Sequence, residues 1–321
     1  MSDLVLALDF GGTKLSAALA RRGERQWRDR RLALSEPGAT ARDDLALMDT
    51  LAGALLGAAH PAAVGVSFGG PVEARTGTVR LSDHVPGWKA HPLKERLERD
   101  YGAPASVDND ANVAALGESR YGAGQGCHSL LYITVSTGVG GGWVLGGEVW
   151  RGAGGMAGEI GHTVADPQGP PCYCGKRGCV ERLASGPYIA ARAGEWLREQ
   201  PGRGERLRAL VGSDLAAITA KHVSEAAALG DELAWASLET AAWALGIGIG
   251  NAANLMNPQR FVLGGGVTKS GARFWEALRR TARETARAEI ELDIVPAALG
   301  DDAPLWGAVA LAEDLLSGEA S

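Results

Sequence analysis

The stretch LVLALDFGGTKLSAAL at residues 4–19 decides the fold. Its two ends are apolar and predict β-strands, and the Gly11-Gly12 pair between them indicates a tight turn with Asp9 at its entrance. A second copy of this plan begins at residue 130, where LLYITV leads into the glycine turn STGVGGG and then into WVL. The repetition of strand, glycine turn and strand predicts a duplicated α/β architecture.

Further strands and helices alternate along the chain, as is typical of an α/β protein. Apolar patterning predicts strands over residues 63–67 and 260–263 and a strand ending at 107. Helices are predicted near residues 43–60, from 110, over 188–200 and 231–257, from 273, and over 303–316. We interpret the basic stretch from Arg21 to Arg31 as the solvated edge of a hairpin, and Trp235 and Trp243 as core anchors of the long helix.

The composition is that of an ordinary globular protein. The chain has 321 residues, of which 45% are hydrophobic and 22% charged, so it can bury a large core and is expected to divide into two lobes. A net charge of −6 excludes a general electrostatic attraction to nucleic acid or to an anionic membrane. The amino terminus has no basic targeting segment and no apolar run reaches membrane-spanning length, so we expect a cytoplasmic protein.

The glycine turns indicate phosphate binding. Their exposed backbone amides can surround phosphate oxygens without obstruction by side chains, although a Gly-Gly pair also forms ordinary hairpins. Asp9 at the first turn is placed to hold Mg²⁺ or its water shell. Together with a third glycine run at residues 264–266, the two turns favour a nucleotide site.

Asp110 has two interpretations. It follows a predicted strand and begins a predicted helix, beside Asp108, Asn109 and Asn112. Taken alone, this pattern favours an N-cap, for which Asp and Asn are preferred. The alternative is a carboxylate that orients a hydroxyl group and accepts its proton during phosphoryl transfer.

Four soft metal donors follow the second glycine turn: His162, Cys172, Cys174 and Cys179. Tetrahedral Cys3His is a common structural zinc set, and four protein ligands would close the ion to substrate. The alternatives are a disulfide or unrelated buried thiols. Zinc is favoured because Cys172 and Cys174 are too close in sequence for a good disulfide, and three clustered cysteines leave one unpaired.

Two carboxylates are adjacent to the metal loop. Glu159 lies three residues before His162, and Glu181 lies two residues after Cys179. Each fixed carboxylate can accept hydrogen bonds from two sugar hydroxyls. If one ring nitrogen of His162 ligates zinc, the other can reach outward to the same sugar.

Taken together, these motifs resemble the ROK family of repressors and sugar kinases, within the actin-like ATPase superfamily. The resemblance runs through residues 4–316. The motifs that carry it are DFGGTK at 9–14, VDNDAN at 107–112, STGVGGG at 136–142, GEIGH at 158–162, CYCGKRGCVE at 172–181 and VLGGG at 262–266. The Gly-His pair followed by C-x-C-G-x-x-G-C-x-E is the most specific of them.

The resemblance implies two α/β lobes around a cleft. The smaller lobe would contain residues 1–111 and be closed by the carboxyl-terminal helix in 302–321, and the larger lobe, residues 112–301, would carry the zinc loop and the nucleotide site. It also implies transfer of the ATP γ-phosphate to the 6-hydroxyl of a hexose, most often glucose, in a homodimer or homotetramer. Mg²⁺ would accompany ATP and Zn²⁺ would be structural.

The resemblance also assigns the site residues, with Asp110 as the catalytic base. The residues implied to hold the sugar are Gly70, Asn109, Asp110, Glu159, His162 and Glu181. Those implied to hold the nucleotide are Asp9, Gly11, Gly12, Thr13, Lys14, Thr137, Gly138, Gly265 and Gly266. The zinc ligands would be His162, Cys172, Cys174 and Cys179.

Three positions depart from the family pattern and bear on the choice of hexose rather than on the reaction. Asp108 stands where the family usually has Glu. Gly69-Gly70-Pro71 stands where it often has Pro-Gly-Pro, a change that loosens the loop over the sugar. His84 stands where family glucokinases commonly have Asn.

The resemblance leaves two alternatives within the family. The substrate could be N-acetylmannosamine, N-acetylglucosamine or fructose, and the phosphate donor could be polyphosphate. A sugar-responsive transcriptional repressor is a different class of function. It is disfavoured because the phosphate turn begins at Asp9 and leaves no room before it for a helix-turn-helix region.

Overall fold

The computed structural model of the chain describes residues 2–82 and 85–318, which form two compact units. Unit 1 is drawn from residues 1–132, 142–157 and 297–321, and unit 2 from residues 133–141 and 158–296. His84, at which the sequence departs from the family's glucokinase pattern, lies outside the described residues.

Each predicted strand and helix is present, but the elements occur in runs, such as the three strands at the start and the five α-helices within residues 180–256, rather than in strict alternation. The strands are β1 (Leu4–Phe10), β2 (Lys14–Arg21), β3 (Trp27–Leu34), β4 (Ala63–Phe68), β5 (Val72–Glu73), β6 (Thr78–Val79), β7 (His91–Pro92), β8 (Ala105–Asn109), β9 (Ser129–Val135), β10 (Val139–Leu145), β11 (Glu148–Trp150), β12 (Arg260–Gly264) and β13 (Ile294–Pro296). The helices are α1 (Ala41–Leu56), α2 (Leu93–Tyr101), α3 (Asp110–Tyr121), α4 (Val180–Ala184), α5 (Gly186–Glu199), α6 (Glu205–Val211), α7 (Ala220–Ala228), α8 (Glu232–Met256), α9 (Ala272–Thr285) and α10 (Ala303–Ser317). Among the described residues, no helix is both long enough and apolar enough to span a membrane.

Unit 1 is built on a five-stranded sheet in the order β3-β2-β1-β4-β8. β1 and β2 form the predicted antiparallel hairpin, whereas β1, β4 and β8 run parallel. The register aligns Asp9 with Ser67, and Ser67 with Asp108. The carboxyl ends of three neighbouring strands therefore meet at one edge of the sheet, which is where open α/β sheets bind their ligands.

β1 is buried on both faces because helices cover both sides of the sheet. Leu6 and Leu8 belong to a core that α1 and α2 complete. Val5 and Ala7 point to the opposite side and belong to a second core, which includes Trp306 of α10. Each fully buried leucine contributes roughly 1.5–3 kcal/mol to folding, so β1 is a major source of stability for unit 1.

Helices α10 and α3 approach each other through glycine. A Cβ atom at Gly307 would lie 1.7 Å from the carbonyl oxygen of Val113, and one at Gly117 would lie 2.5 Å from that of Ala303. We expected α3 in the lobe formed by residues 112–301, but the compact units place it in unit 1. The close packing of α3 on α10 is the physical reason for this difference.

Unit 2 contains residues 133–135 and 139–141 together with β12 and β13. These belong to a five-stranded sheet in the order β11-β10-β9-β12-β13. The long helix α8 packs on α9, where Gly250 of α8 lies against Thr285.

The structure also corrects part of the sequence interpretation. Trp235 is buried as expected, but Trp243 is 37% exposed. Helix α8 is apolar on most of its surface, so its sequence carries no periodic signal for the exposed side. The small sheet of β5, β6 and β7 lies in a stretch without predicted strands, since strands of two residues show no alternation. The basic stretch does form an exposed edge, because residues 28–31 lie in β3.

Candidate active site

Asp9 ends β1 beside the first glycine turn and is only 8% exposed. Its Oδ1 atom accepts a hydrogen bond from the Ser67 hydroxyl at 2.8 Å. Burial raises the pKa of Asp9 to about 6 against the effect of this hydrogen bond, and the nearby charge of Asp110 acts in the same direction as burial. A buried acid with a raised pKa beside a second acid is a group whose ionised form a divalent cation would stabilise.

The first glycine turn is closed by its own backbone. The Gly11 N–H donates to the Lys14 carbonyl oxygen at 3.1 Å, and a Cβ atom at Gly11 would lie 2.7 Å from that oxygen. Glycine is therefore required at this position. Gly12 and Lys14 are half-buried and Thr13 is exposed, so the turn presents its backbone to solvent beside Asp9.

Asn109 and Asp110 lie at the junction of β8 and α3. Asn109 Oδ1 accepts from the N–H groups of Ala111 at 3.0 Å and Asn112 at 3.4 Å. Its Nδ2 donates to the Gly70 carbonyl at 3.1 Å and to Asp110 Oδ1 at 3.0 Å. Asn109 is thus the N-cap and Asp110 is the first helical residue. The N-cap interpretation of Asp110 is wrong, because the preceding amide side chain already caps α3.

Asp108 is buried and makes contacts through both carboxylate oxygens. Its Oδ1 accepts from the Asn109 N–H at 2.7 Å and from Asn112 Nδ2 at 3.2 Å, and its Oδ2 accepts from Arg151 Nε at 2.7 Å. These partners compensate for burial of the charge. Sequence reasoning gave no role to Arg151, which lies 43 residues away. The only signal in the sequence was Asp108 itself, because a buried acid requires a basic partner.

The ligand atoms of His162, Cys172, Cys174 and Cys179 lie within 4.8 Å of one another. All four cysteines of the chain are free, and the Sγ atoms of Cys174 and Cys179 are 3.6 Å apart, so the disulfide alternative is not adopted. His162 Nδ1 is buried and has no hydrogen-bond partner among the described residues. This orphaned nitrogen fits a ligand that faces a metal ion, so the cluster is able to hold one.

The second ring nitrogen of His162 has a different neighbour from the one expected. Nε2 lies 3.1 Å from the Tyr173 hydroxyl, whereas we expected it to reach outward to a sugar. Tyr173 is 68% exposed, so a ligand hydroxyl can replace it with little loss of packing.

The two glutamates beside the metal loop differ in their surroundings. Glu159 is exposed at the start of the 3-10 turn Ile160–His162. Glu181 is only 7% exposed, on α4, and its Oε2 accepts from the Val139 N–H at 2.9 Å. Glu181 therefore contacts the second glycine turn as well as following the metal loop.

The second and third glycine runs adjoin within unit 2. The Ser136 N–H donates to the Gly138 carbonyl at 2.9 Å, which closes the second turn and leaves Thr137 exposed. Gly265 has a φ of +90° and a Cβ atom there would lie 2.3 Å from the Val135 carbonyl oxygen. Only glycine permits this approach of β12 to the end of β9.

The predicted residues thus form two groups, one in each unit. The group in unit 1 consists of Asp9, Gly11, Gly12, Thr13, Lys14, Gly70, Asn109 and Asp110. The group in unit 2 consists of Thr137, Gly138, Glu159, His162, Cys172, Cys174, Cys179, Glu181, Gly265 and Gly266.

Comparison with known proteins identifies the family. The profile of the ROK family matches residues 5–315. A Halalkalibacterium halodurans protein named glucokinase is 41% identical over 249 residues, which cover 76% of this chain and 74% of that protein. The chain belongs to the ROK family. A Shigella boydii protein named N-acetylmannosamine kinase is 38% identical, with 96% of this chain and 98% of that protein covered.

A solved ROK structure supports the same assignment. The ROK family glucokinase from Streptomyces griseus, in complex with glucose and AMPPNP, matches with a TM-score of 0.83 and 33% identity over 97% of this chain and 99% of that one. The predicted family and the α/β fold of the actin-like ATPase type are thereby confirmed.

Proposed function

We propose that this ROK protein is an ATP-dependent glucokinase that transfers the γ-phosphate of ATP to the 6-hydroxyl of glucose. The observation that carries the proposal is the position of Asp110 at the start of α3, fixed by the Asn109 cap, in a chain related to proteins named glucokinase. Phosphoryl transfer needs a well-placed proton acceptor rather than a strong base, and Asp110 meets that requirement.

In the reaction, Asp110 accepts the proton of the 6-hydroxyl as the bond from that oxygen to the γ-phosphorus forms. The bond from the γ-phosphorus to the bridging oxygen breaks, and ADP leaves with the electron pair. Asp9 would hold the Mg²⁺ that accompanies ATP and offsets phosphate charge. The buried Ser67 hydroxyl fixes the Asp9 carboxylate for this role.

The substrates are assigned to the residues predicted from the sequence. Asn109 holds Asp110 and the Gly70 carbonyl in place through its Nδ2, and these three residues are assigned to the hexose. The remaining hydroxyls of the hexose form hydrogen bonds with Glu159, His162 and Glu181. The backbones of the two glycine turns receive the phosphates, and Gly265 and Gly266 lie near the adenosine.

Zinc is the proposed ion of the Cys3His cluster. His162, Cys172, Cys174 and Cys179 would ligate it, and it would supply structural order rather than catalysis. The position of Cys179 as the N-cap of α4 links the ion to Glu181, two residues later. Metal binding would thereby orient His162 and Glu181 toward the sugar.

The test is a coupled kinase assay with glucose, N-acetylmannosamine, N-acetylglucosamine and fructose, each with ATP and with polyphosphate. We expect the highest kcat/KM for glucose with ATP. Negligible glucose turnover beside strong phosphorylation of N-acetylmannosamine would reject the proposal in favour of the second candidate, which the relative at 38% identity supports. Light scattering of the purified protein tests the proposed homodimer or homotetramer.

A further inference from the structure

The second glycine turn touches the Glu181 side chain at two points. Glu181 Oε2 accepts the Val139 N–H at 2.9 Å, and a Cβ atom at Gly138 would lie 2.7 Å from the same oxygen. Among the described residues, and apart from the two chain neighbours of Gly138, only Glu181 has atoms within 4 Å of that Cβ position. The Glu181 carboxylate is therefore in direct contact with the backbone of the second glycine turn.

The other carboxylate oxygen of Glu181 is available to a ligand. Within the part of the chain that the structure describes, Oε1 has no hydrogen-bond partner, although the residue is largely buried. Oε1 is not among the buried polar atoms that lack a partner, so solvent reaches it and a ligand hydroxyl can replace water there. In Glu181, Oε2 therefore bonds to the protein, and Oε1 can bond to a ligand.

The segment that leads into the metal loop also packs against the same turn. A Cβ atom at Gly161, next to His162, would lie 2.0 Å from the Val139 carbonyl oxygen. Glu181 therefore holds Val139 through its N–H, and Gly161 packs against its carbonyl oxygen. A shift of Glu181 cannot occur without moving the turn, because close-packed groups transmit displacement.

We propose that Glu181 is a positioning residue shared by both substrates. Its Oε1 accepts a hexose hydroxyl, while its Oε2 fixes the phosphate turn through the Val139 amide. Binding of the hexose and of the donor phosphate are then coupled through this carboxylate, and linkage requires the coupling to be reciprocal. The inference rests on the proposed function, since it takes Glu181 as a hexose ligand and Gly138 as part of the phosphate turn.

The direct test is Gly138→Ala, with glucose affinity measured by calorimetry in the absence of nucleotide. The added methyl group meets only Glu181, and Gly138 does not have the positive φ that would strain an alanine. We expect glucose binding to weaken by about tenfold, comparable to the loss of one charged hydrogen bond. Gly202→Ala, where the methyl group meets nothing within 4 Å, is the matched control.

A double-mutant cycle adds a readout that a general loss of stability would not produce. Glu181→Asp shortens the side chain and relieves its overlap with Ala at position 138. The double variant should therefore lose less glucose affinity than the two single variants combined. Additive losses, or a Gly138→Ala protein with wild-type glucose affinity and an unchanged melting temperature, would overturn the inference.

The nucleotide side of the coupling is measured with Mg²⁺ and AMPPNP. In the wild-type protein, saturating glucose should tighten AMPPNP binding by about fivefold or more, and Gly138→Ala should reduce that factor. Equal AMPPNP affinity with and without glucose would reject the coupling. A wild-type protein that neither binds nor phosphorylates glucose would instead reject the proposed function.

Discussion

Arg151 Nε donates to Asp108 Oδ2 at 2.7 Å, and the Asp108 side chain is only 3% exposed. The ion pair ties the segment after β11 to the end of β8. Because Asp108 also accepts the Asn109 N–H, it acts on the residue that caps α3. The pair therefore fixes the backbone that presents Asp110.

Arg151→Met leaves the Asp108 charge buried without its partner. We expect the free energy of unfolding to fall by about 3 kcal/mol, and kcat to fall because Asp110 shifts. Urea denaturation and steady-state kinetics measure the two effects. The double variant Asp108→Asn with Arg151→Met has no unpaired charge and should recover most of the stability. An equally unstable double variant would argue against charge burial as the cause.

Asp110→Asn preserves the size of the side chain but cannot accept a proton. We expect kcat to fall by about 10²–10⁴-fold, with little change in the affinities for glucose and AMPPNP. Asp100→Asn, at a surface residue of α2, is the control and should keep wild-type turnover. Near-normal kcat in Asp110→Asn would refute the assigned role.

Asp9 makes the ligand-free protein sensitive to pH. Its pKa is raised from 3.8 to about 6 in the folded state, so its ionisation destabilises the fold as pH rises through this window. At pH values above this window, ionised Asp9 lowers the free energy of unfolding by on the order of 2–3 kcal/mol. Asp9→Asn should therefore melt at a higher temperature than wild type at pH 8, with a smaller gain at pH 5, and should lose kinase activity. An equal gain at both pH values would exclude ionisation as the source.

Cys174→Ala removes one donor of the metal cluster. Elemental analysis should find roughly one zinc ion per wild-type chain and much less in the variant. Glucose affinity should fall with it, since His162 and Glu181 lose their orientation. Cys127→Ala, outside the cluster, should retain both metal and affinity. Metal-free wild-type protein with full glucose affinity would remove the basis of this prediction.

Gly307→Ala tests the contact between α3 and α10. The methyl group would lie 1.7 Å from the Val113 carbonyl oxygen, so the helices must separate. We expect a loss of more than about 3 kcal/mol in stability, through overpacking and lost burial. Gly53→Ala in α1 meets nothing within 4 Å and should instead stabilise the protein by about 0.5–1 kcal/mol. Thermal melting of both variants measures the contrast.

Features encoded in short stretches of sequence were predictable, and features that depend on distant contacts were not. The hairpin at Gly11-Gly12 and the convergence of the cysteines follow from local spacing and turn chemistry. The cap of α3 was placed one residue too late, because Asn109 and Asp110 are both good caps and only backbone geometry distinguishes them. Arg151 was missed because its partner is remote in sequence.

The contact between Glu181 and Val139 was missed for a similar reason. Both residues were visible as parts of separate motifs, but the two residues lie 42 positions apart in the chain. Folding of the metal loop against the second turn brings them together. Sequence patterns therefore identified the chemical groups of the candidate site, while the hydrogen bonds that join those groups required the structure.

The contribution of α10 to unit 1 has a consequence for the order of folding during synthesis. Trp306 and Val309 share a core with Val5 and Ala7 of the first strand, yet they follow the whole of unit 2 in the chain. The core on this face of β1 lacks its α10 residues until α10 emerges, by which time all of unit 2 has been synthesised. Unit 1 therefore completes this core after unit 2 has been made, although it contains the first strand, and until then its sheet exposes apolar surface that chaperones bind.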